Sequence, residues 1–214
     1  MRSKFDEQLA LLNRDLTKMG SLCEEALALA AKALANADGQ TAAKIAPIDS
    51  EIDQMERTIE SLCLKLLLQQ QPVARDLRQI SAALKMITDM ERIGDQASDI
   101  AEIIGFLNGR IGTDAQYICQ MAVAAMSMVT ESVEAYVKRD VAMAEATIQH
   151  DDVVDDLFLK VKESLIQMIS ENPKDGEYAL DLLMIAKYFE RIGDHATNIA
   201  EWVVFSVTGV HEQV

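Results

Sequence analysis

The sequence predicts an all-α protein, folded as two tandem antiparallel three-helix bundles. Apolar residues recur in alternating steps of three and four along six long segments, the spacing of helices packed nearly parallel to their neighbours. No segment sustains the period-two alternation of a half-buried strand. Residues 91–102, Glu-Arg-Ile-Gly-Asp-Gln-Ala-Ser-Asp-Ile-Ala-Glu, return at 190–201 as Glu-Arg-Ile-Gly-Asp-His-Ala-Thr-Asn-Ile-Ala-Glu, with nine of twelve positions identical at an offset of 99 residues. Self-similarity at a fixed offset marks an internal repeat. It divides the 214 residues into units 1–109 and 110–214, each with three helices.

The first predicted helix runs from about Ser3 to Asn36, with Phe5, Leu9, Leu12, Leu16, Met19, Cys23, Ala26 and Ala30 as its seam. Asn36-Ala-Asp-Gly-Gln is its stop and turn. The second carries Ile45, Ile48, Ile52, Met55, Ile59, Leu62 and Leu66, with Pro47 marking either a first helical turn or a kink. Pro72 breaks the chain before the third helix, whose Leu77, Ile80, Leu84 and Ile87 keep the rhythm until Gly105 to Gly112. The fourth, from about Thr113, carries Ile118, Met121, Ala125, Met128 and Ser132. A Lys138-Arg139-Asp140 turn precedes the fifth, with Val154, Leu157, Val161, Leu165 and Met168. After the Asn172-Pro173-Lys-Asp-Gly176 break the sixth runs to about Val207. Short loops make sequential helices antiparallel neighbours.

Composition narrows the function. Thirty-five acids against 20 bases give a net charge of −15, opposite to the basic face that nucleic-acid binders need. The same charge opposes unaided docking on an anionic membrane. The N-terminus lacks the apolar core of a signal peptide. The longest uncharged run, Ala115 to Thr130, is too short and too polar to span a bilayer. Cys23, Cys63 and Cys119 are odd in number and far apart, as expected of buried thiols in a reducing compartment. The chain is expected to be cytoplasmic.

Chemistry concentrates in the repeat. Continuing the third helix by its own steps brings Glu91 and Gly94 into the seam after Ile87, and the sixth helix brings Glu190 and Gly193 to equivalent places. Asp95 and Asp194 follow their glutamates by one turn on the same side. A mid-helix glycine costs about 1 kcal/mol relative to alanine, and unpaired carboxylates are expensive to bury. Both costs are incurred twice.

Antiparallel register about turns near residues 71 and 173 sets Asp49 level with residue 93 and Asp53 with residue 89. It sets Asp151 level with 195 and Asp155 with 191. An Asp-x-x-x-Asp pair thus faces a Glu-x-x-x-Asp pair in each half. Four converging carboxylates suit divalent or trivalent cations bound through oxygen. Acidic patches closed by salt bridges from Arg92 and Arg191 are the competing account. Asp99, Glu102, Asn198 and Glu201 continue the same face as further ligands or as hydrogen-bond partners of ligands. No Glu-x-x-His motif supports a ferritin-like di-iron site. No glycine-rich phosphate loop, HExxH or supported Ser-His-Asp set points to an enzyme.

The doubled Glu-Arg-Ile-Gly-Asp, each copy preceded by an Asp-x-x-x-Asp helix, resembles the PhoU family of phosphate-signalling regulators. The resemblance extends to the C-terminal Asn-Ile-Ala-Glu-Trp-Val-Val-Phe run. It implies two similar three-helix bundles and multinuclear metal sites of iron or zinc, carried by Asp49, Asp53, Glu91 and Asp95 and by Asp151, Asp155, Glu190 and Asp194. Asp99 departs from the more usual asparagine, present in the second copy as Asn198. The resemblance further implies a non-enzymatic homodimer, peripheral at the inner membrane face through its partners. As a negative regulator of phosphate uptake and starvation signalling, it would link a phosphate ABC transporter ATPase to a sensor histidine kinase. The rival readings are a transport accessory without kinase control and a metal-storage or redox bundle.

Overall fold

The structure is a computed structural model and describes residues 2–69, 73–107, 109–110 and 115–210. Six long helices account for nearly all of it: α1 (Arg2–Asn36), α3 (Ile45–Gln69), α4 (Ala74–Phe106), α5 (Gln116–Lys138), α6 (Val141–Glu171) and α7 (Gly176–Thr208). A single turn, α2 (Gly39–Ala42), joins α1 to α3, and a 3₁₀ turn, Pro173–Asp175, joins α6 to α7. There is no strand among the described residues. The expected break at Pro72, the turn centred near residue 71, the helix limit at Gly112 and the start at Thr113 lie outside the described residues.

Local chemistry sets the boundaries. Asp38 caps α2, accepting from the Gln40 backbone N–H at 3.0 Å, and Asp140 caps α6 by accepting from that of Met143 at 3.0 Å. Pro47 lies in the first turn of α3, where its missing N–H costs no helical bond. α7 closes on Gly209 at φ 82°, the left-handed C-terminal conformation that glycine adopts without penalty. α5 ends the same way on Arg139, at φ 57° and ψ 39°, which is unusual for a residue with a Cβ.

α1, α3 and α4 form one bundle, and α5, α6 and α7 the other. The bundles are not independent. α4 and α7 make the most extensive helix pair among the described residues, α1 packs on α5, and one continuous core runs through both halves. The expected seams of α1, α3, α5 and α6 are buried along most of their length. On α4 the buried stripe is wider than expected and shifted: Ala83, Met86, Ile87, Met90, Ile93, Gly94, Ala97, Ile100 and Ile104. Helices flank α4 on two sides, so both the α3-facing and α7-facing stripes are covered. Glu91 therefore sits on the shoulder of the stripe, with a fifth of its side chain exposed, not at a core position.

Candidate metal centre

The first acid cluster forms where α3 crosses α4 at Gly94. A Cβ on Gly94 would lie 2.8 Å from Asp49 Oδ1 and 3.0 Å from Ile52 Cδ1, so hydrogen at that position is what lets α3 approach. Contact at Gly94 agrees with the expected register to within one residue. The second cluster repeats the arrangement, with a Gly193 Cβ 3.0 Å from Asp151 Oδ1. In both halves the first aspartate of the Asp-x-x-x-Asp pair rests on the glycine of the repeat.

Carboxylate oxygens of Asp49, Asp53 and Asp95 all lie within 4.8 Å of one another, a convergence found only here among the described residues. Asp49 Oδ2 accepts from the Ser98 hydroxyl at 2.9 Å, while its Oδ1 is buried without a hydrogen-bond partner. An anionic oxygen without a donor is costly. Burial, and then the charges of Asp95, Asp53 and Asp99, push the Asp49 carboxyl above its ordinary range despite the Ser98 bond. Glu91 is pushed up by burial and by Asp95. Arg92 pairs with Asp95 at 2.9 Å and Glu91 at 3.4 Å, so the salt-bridge account is met in part. More than half exposed, that arginine leaves the buried Asp49 oxygen unsatisfied.

The second cluster differs in which acid is paired and with what. Burial, Asp194, Asp155 and Glu190 push Asp151 up to about 6, and burial and Glu190 raise Asp194. Glu190, however, pairs with Lys187 one turn earlier on α7, and that ammonium also stands 5.6 Å from the Phe158 ring. The position equivalent to Lys187 in the first half is Thr88. Asp155 and Asp194 lie at the surface, so this cluster is looser than the first.

Several participants were not expected. Glu56, three residues beyond Asp53 and so on the same helical face, adds its charge to Glu91 and is itself raised by burial, Glu60 and Asp53. The i, i+3 spacing from Asp53 was legible, although the second half has Phe158 three residues beyond Asp155. Asp99 stands between the two halves, its charge adding to burial in raising both the Asp49 carboxyl and the Tyr188 phenol of α7. Asn198 donates to Asp89 Oδ1 at 3.2 Å, and His195 Nδ1 reaches the same oxygen at 2.8 Å. Glu102 is exposed and Glu201 half-buried; neither joins the converging triad.

Known proteins resemble this chain in sequence and in fold. A family model described as the PhoU domain matches residues 16–104 and again 118–203. The chain is 37% identical over 210 residues to the phosphate-specific transport system accessory protein PhoU homolog of Clostridium acetobutylicum, covering 97% of this chain and 96% of that one. The chain belongs to the PhoU family. The crystal structure of PhoU from Pseudomonas aeruginosa matches with a TM-score of 0.92 at 34% identity, covering 96% of this chain and 100% of the other. That of the phosphate transport system regulatory protein PhoU from Streptococcus pneumoniae matches at 0.88 and 26% identity, covering 98% and 100%. Each of the two PhoU-domain matches contains one complete acid cluster with its glycine. No described helix is long and apolar enough to cross a membrane.

Proposed function

We propose that this chain is a metal-binding accessory regulator of phosphate uptake. In this reading it restrains a phosphate ABC transporter and the starvation response by bridging the transporter ATPase to a sensor histidine kinase. Family membership supports the phosphate-transport role, since the Clostridium acetobutylicum relative is named an accessory protein of phosphate-specific transport. The observation that carries the metal reading is Asp49, whose Oδ1 is buried without a donor and whose carboxylate converges within 4.8 Å on those of Asp53 and Asp95. A cation held there would satisfy that oxygen and relieve the repulsion that raises Asp49 and Glu91.

The residues fit an oxygen-liganded iron or zinc. Asp49, Asp53, Glu91 and Asp95 would hold it in the first half, and Asp151, Asp155, Glu190 and Asp194 in the second. Bound metal would supply positive charge that locks α3 to α4 and α6 to α7, fixing the surfaces offered to partners as a homodimer or a single chain. A cation already pairs with acids of each cluster, Arg92 in the first and Lys187 in the second, so the closer convergence of Asp49, Asp53 and Asp95 is what would make the first cluster the tighter metal site. Catalysis is not part of the proposal.

Elemental analysis of the full chain purified without added metal tests the site. Wild type should carry iron or zinc that the pair Glu91→Ala with Glu190→Ala loses, and equal metal in both rejects the assignment. Cells lacking the chain should keep phosphate uptake high in phosphate-rich medium, and return to low uptake with wild type but not with the pair. Uptake indifferent to the chain rejects the regulatory role.

A further inference from the structure

Positive charge is scarce in this protein, yet three arginines collect at the end where α4 begins and α5 ends. Arg75 and Arg78 belong to the first two turns of α4, and Arg139 is the left-handed residue closing α5. Arg139 Nη1 donates to Gln79 Oε1 at 3.2 Å, and the buried Tyr136 hydroxyl donates to the Gln79 carbonyl at 3.0 Å. Gln79 Nε2 in turn reaches Asn13 Oδ1 on α1 at 3.4 Å. Arg75 lies four residues before Gln79, on the same face of α4, and Arg78 adjoins it in sequence. Arg78 packs where a Cβ on Gly209 would lie 3.5 Å from its Nη1, and its Nε is buried without a hydrogen-bond partner.

Among the described residues the arrangement concentrates charge without an ion pair to neutralise it. None of the three arginines makes an ion pair with another described residue. Arg75 and Arg78 stand at the electropositive end of α4, whose N-cap residue Val73 supplies no side-chain acceptor. The C-terminal ends of α5 and α7, which accompany Arg139 and Arg78, return only fractional negative charge. Asp76 is the nearby acid that favours the Arg139 charge, whereas burial, Arg75 and Arg78 push Arg139 below its usual range. Arg139 also retains a positive φ that glycine would hold without strain.

We propose that Arg75, Arg78 and Arg139 form a binding site for a phosphoryl oxyanion, held between the start of α4 and the end of α5. Planar guanidinium forks match the oxygens of a phosphate group two at a time, which a single ammonium does not. The Gln79 and Tyr136 bonds hold Arg139 in place. The ligand is either free inorganic phosphate or the phosphodiester headgroup of an anionic lipid. The site is separate from the acid clusters and does not rest on their occupancy by metal.

Calorimetric titration of the full chain with inorganic phosphate tests the proposal, alongside sedimentation with vesicles of phosphatidylglycerol and phosphatidylcholine. Three proteins are compared: wild type, Arg75→Gln with Arg139→Gly, and Asp49→Asn with Asp151→Asn. Arg139→Gly removes the charge while relaxing the backbone, so the arginine variant should retain the wild-type melting temperature. Phosphate affinity about tenfold weaker in the arginine variant and unchanged in the aspartate variant supports the site with free phosphate as ligand. No phosphate binding, but vesicle binding that disappears with the arginines and is absent on pure phosphatidylcholine, supports it with lipid as the source. Phosphate binding lost in the aspartate variant and kept in the arginine variant overturns the proposal. So does the absence of arginine-dependent binding to either probe.

Discussion

At the residue scale, the decisive atoms are the hydrogens of Gly94 and Gly193. Helix propensity alone would favour alanine at both positions by about 1 kcal/mol. At Gly94 the added methyl would meet Asp49 Oδ1 at 2.8 Å and Ile52 Cδ1 at 3.0 Å. Overpacking of this kind costs about 1–3 kcal/mol, so the clash outweighs the propensity. Gly94→Ala should lower the melting temperature and reduce bound metal by displacing Asp49. Gly193→Ala, with one contact at 3.0 Å and Val154 no nearer than 3.6 Å, should do both less. Gly105→Ala, which meets nothing within 4 Å, should be neutral or stabilising. Circular-dichroism melts and elemental analysis of the three variants decide it. A Gly94→Ala protein as stable as Gly105→Ala would show that the α3–α4 approach is not limiting.

At the scale of elements, the two repeats meet through α4 and α7, and their polar contacts obey a pseudo-twofold. Asp99 of α4 faces Tyr188 of α7 and adds to burial in raising its phenol, and Asp89 of α4 accepts from Asn198 of α7. Under the 99-residue offset, Asp89 is the counterpart of Tyr188 and Asp99 of Asn198. The repeat thus diverged where its two copies touch, and each pair now joins unlike partners. Asp89 Oδ1 receives both His195 and Asn198 and is largely buried. Removing an acceptor of this kind costs about 2 kcal/mol. Asp89→Ala should lower the denaturation midpoint by a corresponding amount, leaving bound metal unchanged. A double-mutant cycle with His195→Ala should give a coupling above about 0.5 kcal/mol, whereas additive effects would mean the pair contributes no direct interaction.

At the scale of the molecule, the acid clusters make stability depend on pH and metal. Asp151 rises from 3.8 to about 6, and Asp49, Glu91 and Asp194 are raised as well. A carboxyl with a raised pKa binds its proton more tightly in the folded chain than in the unfolded one. Its contribution is fully present below the unfolded value and is lost as pH rises through the folded value. The metal-free protein should therefore melt at a higher temperature near pH 5 than near pH 7, opposite to a protein stabilised by paired carboxylates. Asp38, held low by Thr41, works in the opposite direction but below this window. Asp151→Asn should flatten the slope, and added zinc or iron should raise the melting temperature at pH 7. A melting temperature that rises from pH 5 to pH 7 without metal would mean that the clusters are not strained.

The sequence by itself determined the helices, the doubling and the acids that face each other. Heptad spacing and the glycine and proline breaks encode local structure, and antiparallel register follows from loop position. Asp49 could be set within one residue of Gly94 for that reason. Tertiary structure alone decided how the halves share a core, because the width of the buried stripe on α4 depends on what covers its second side. It also decided that Glu91 rides a shoulder and that the two clusters are unequal. Lys187 has no counterpart of like charge under the repeat, Glu56 is matched by no acid three residues beyond Asp155, and the influence of both depends on side-chain directions that spacing does not encode. The arginine cluster belongs to the same class. Its members come from the start of one helix and the end of another, and only folding places them side by side.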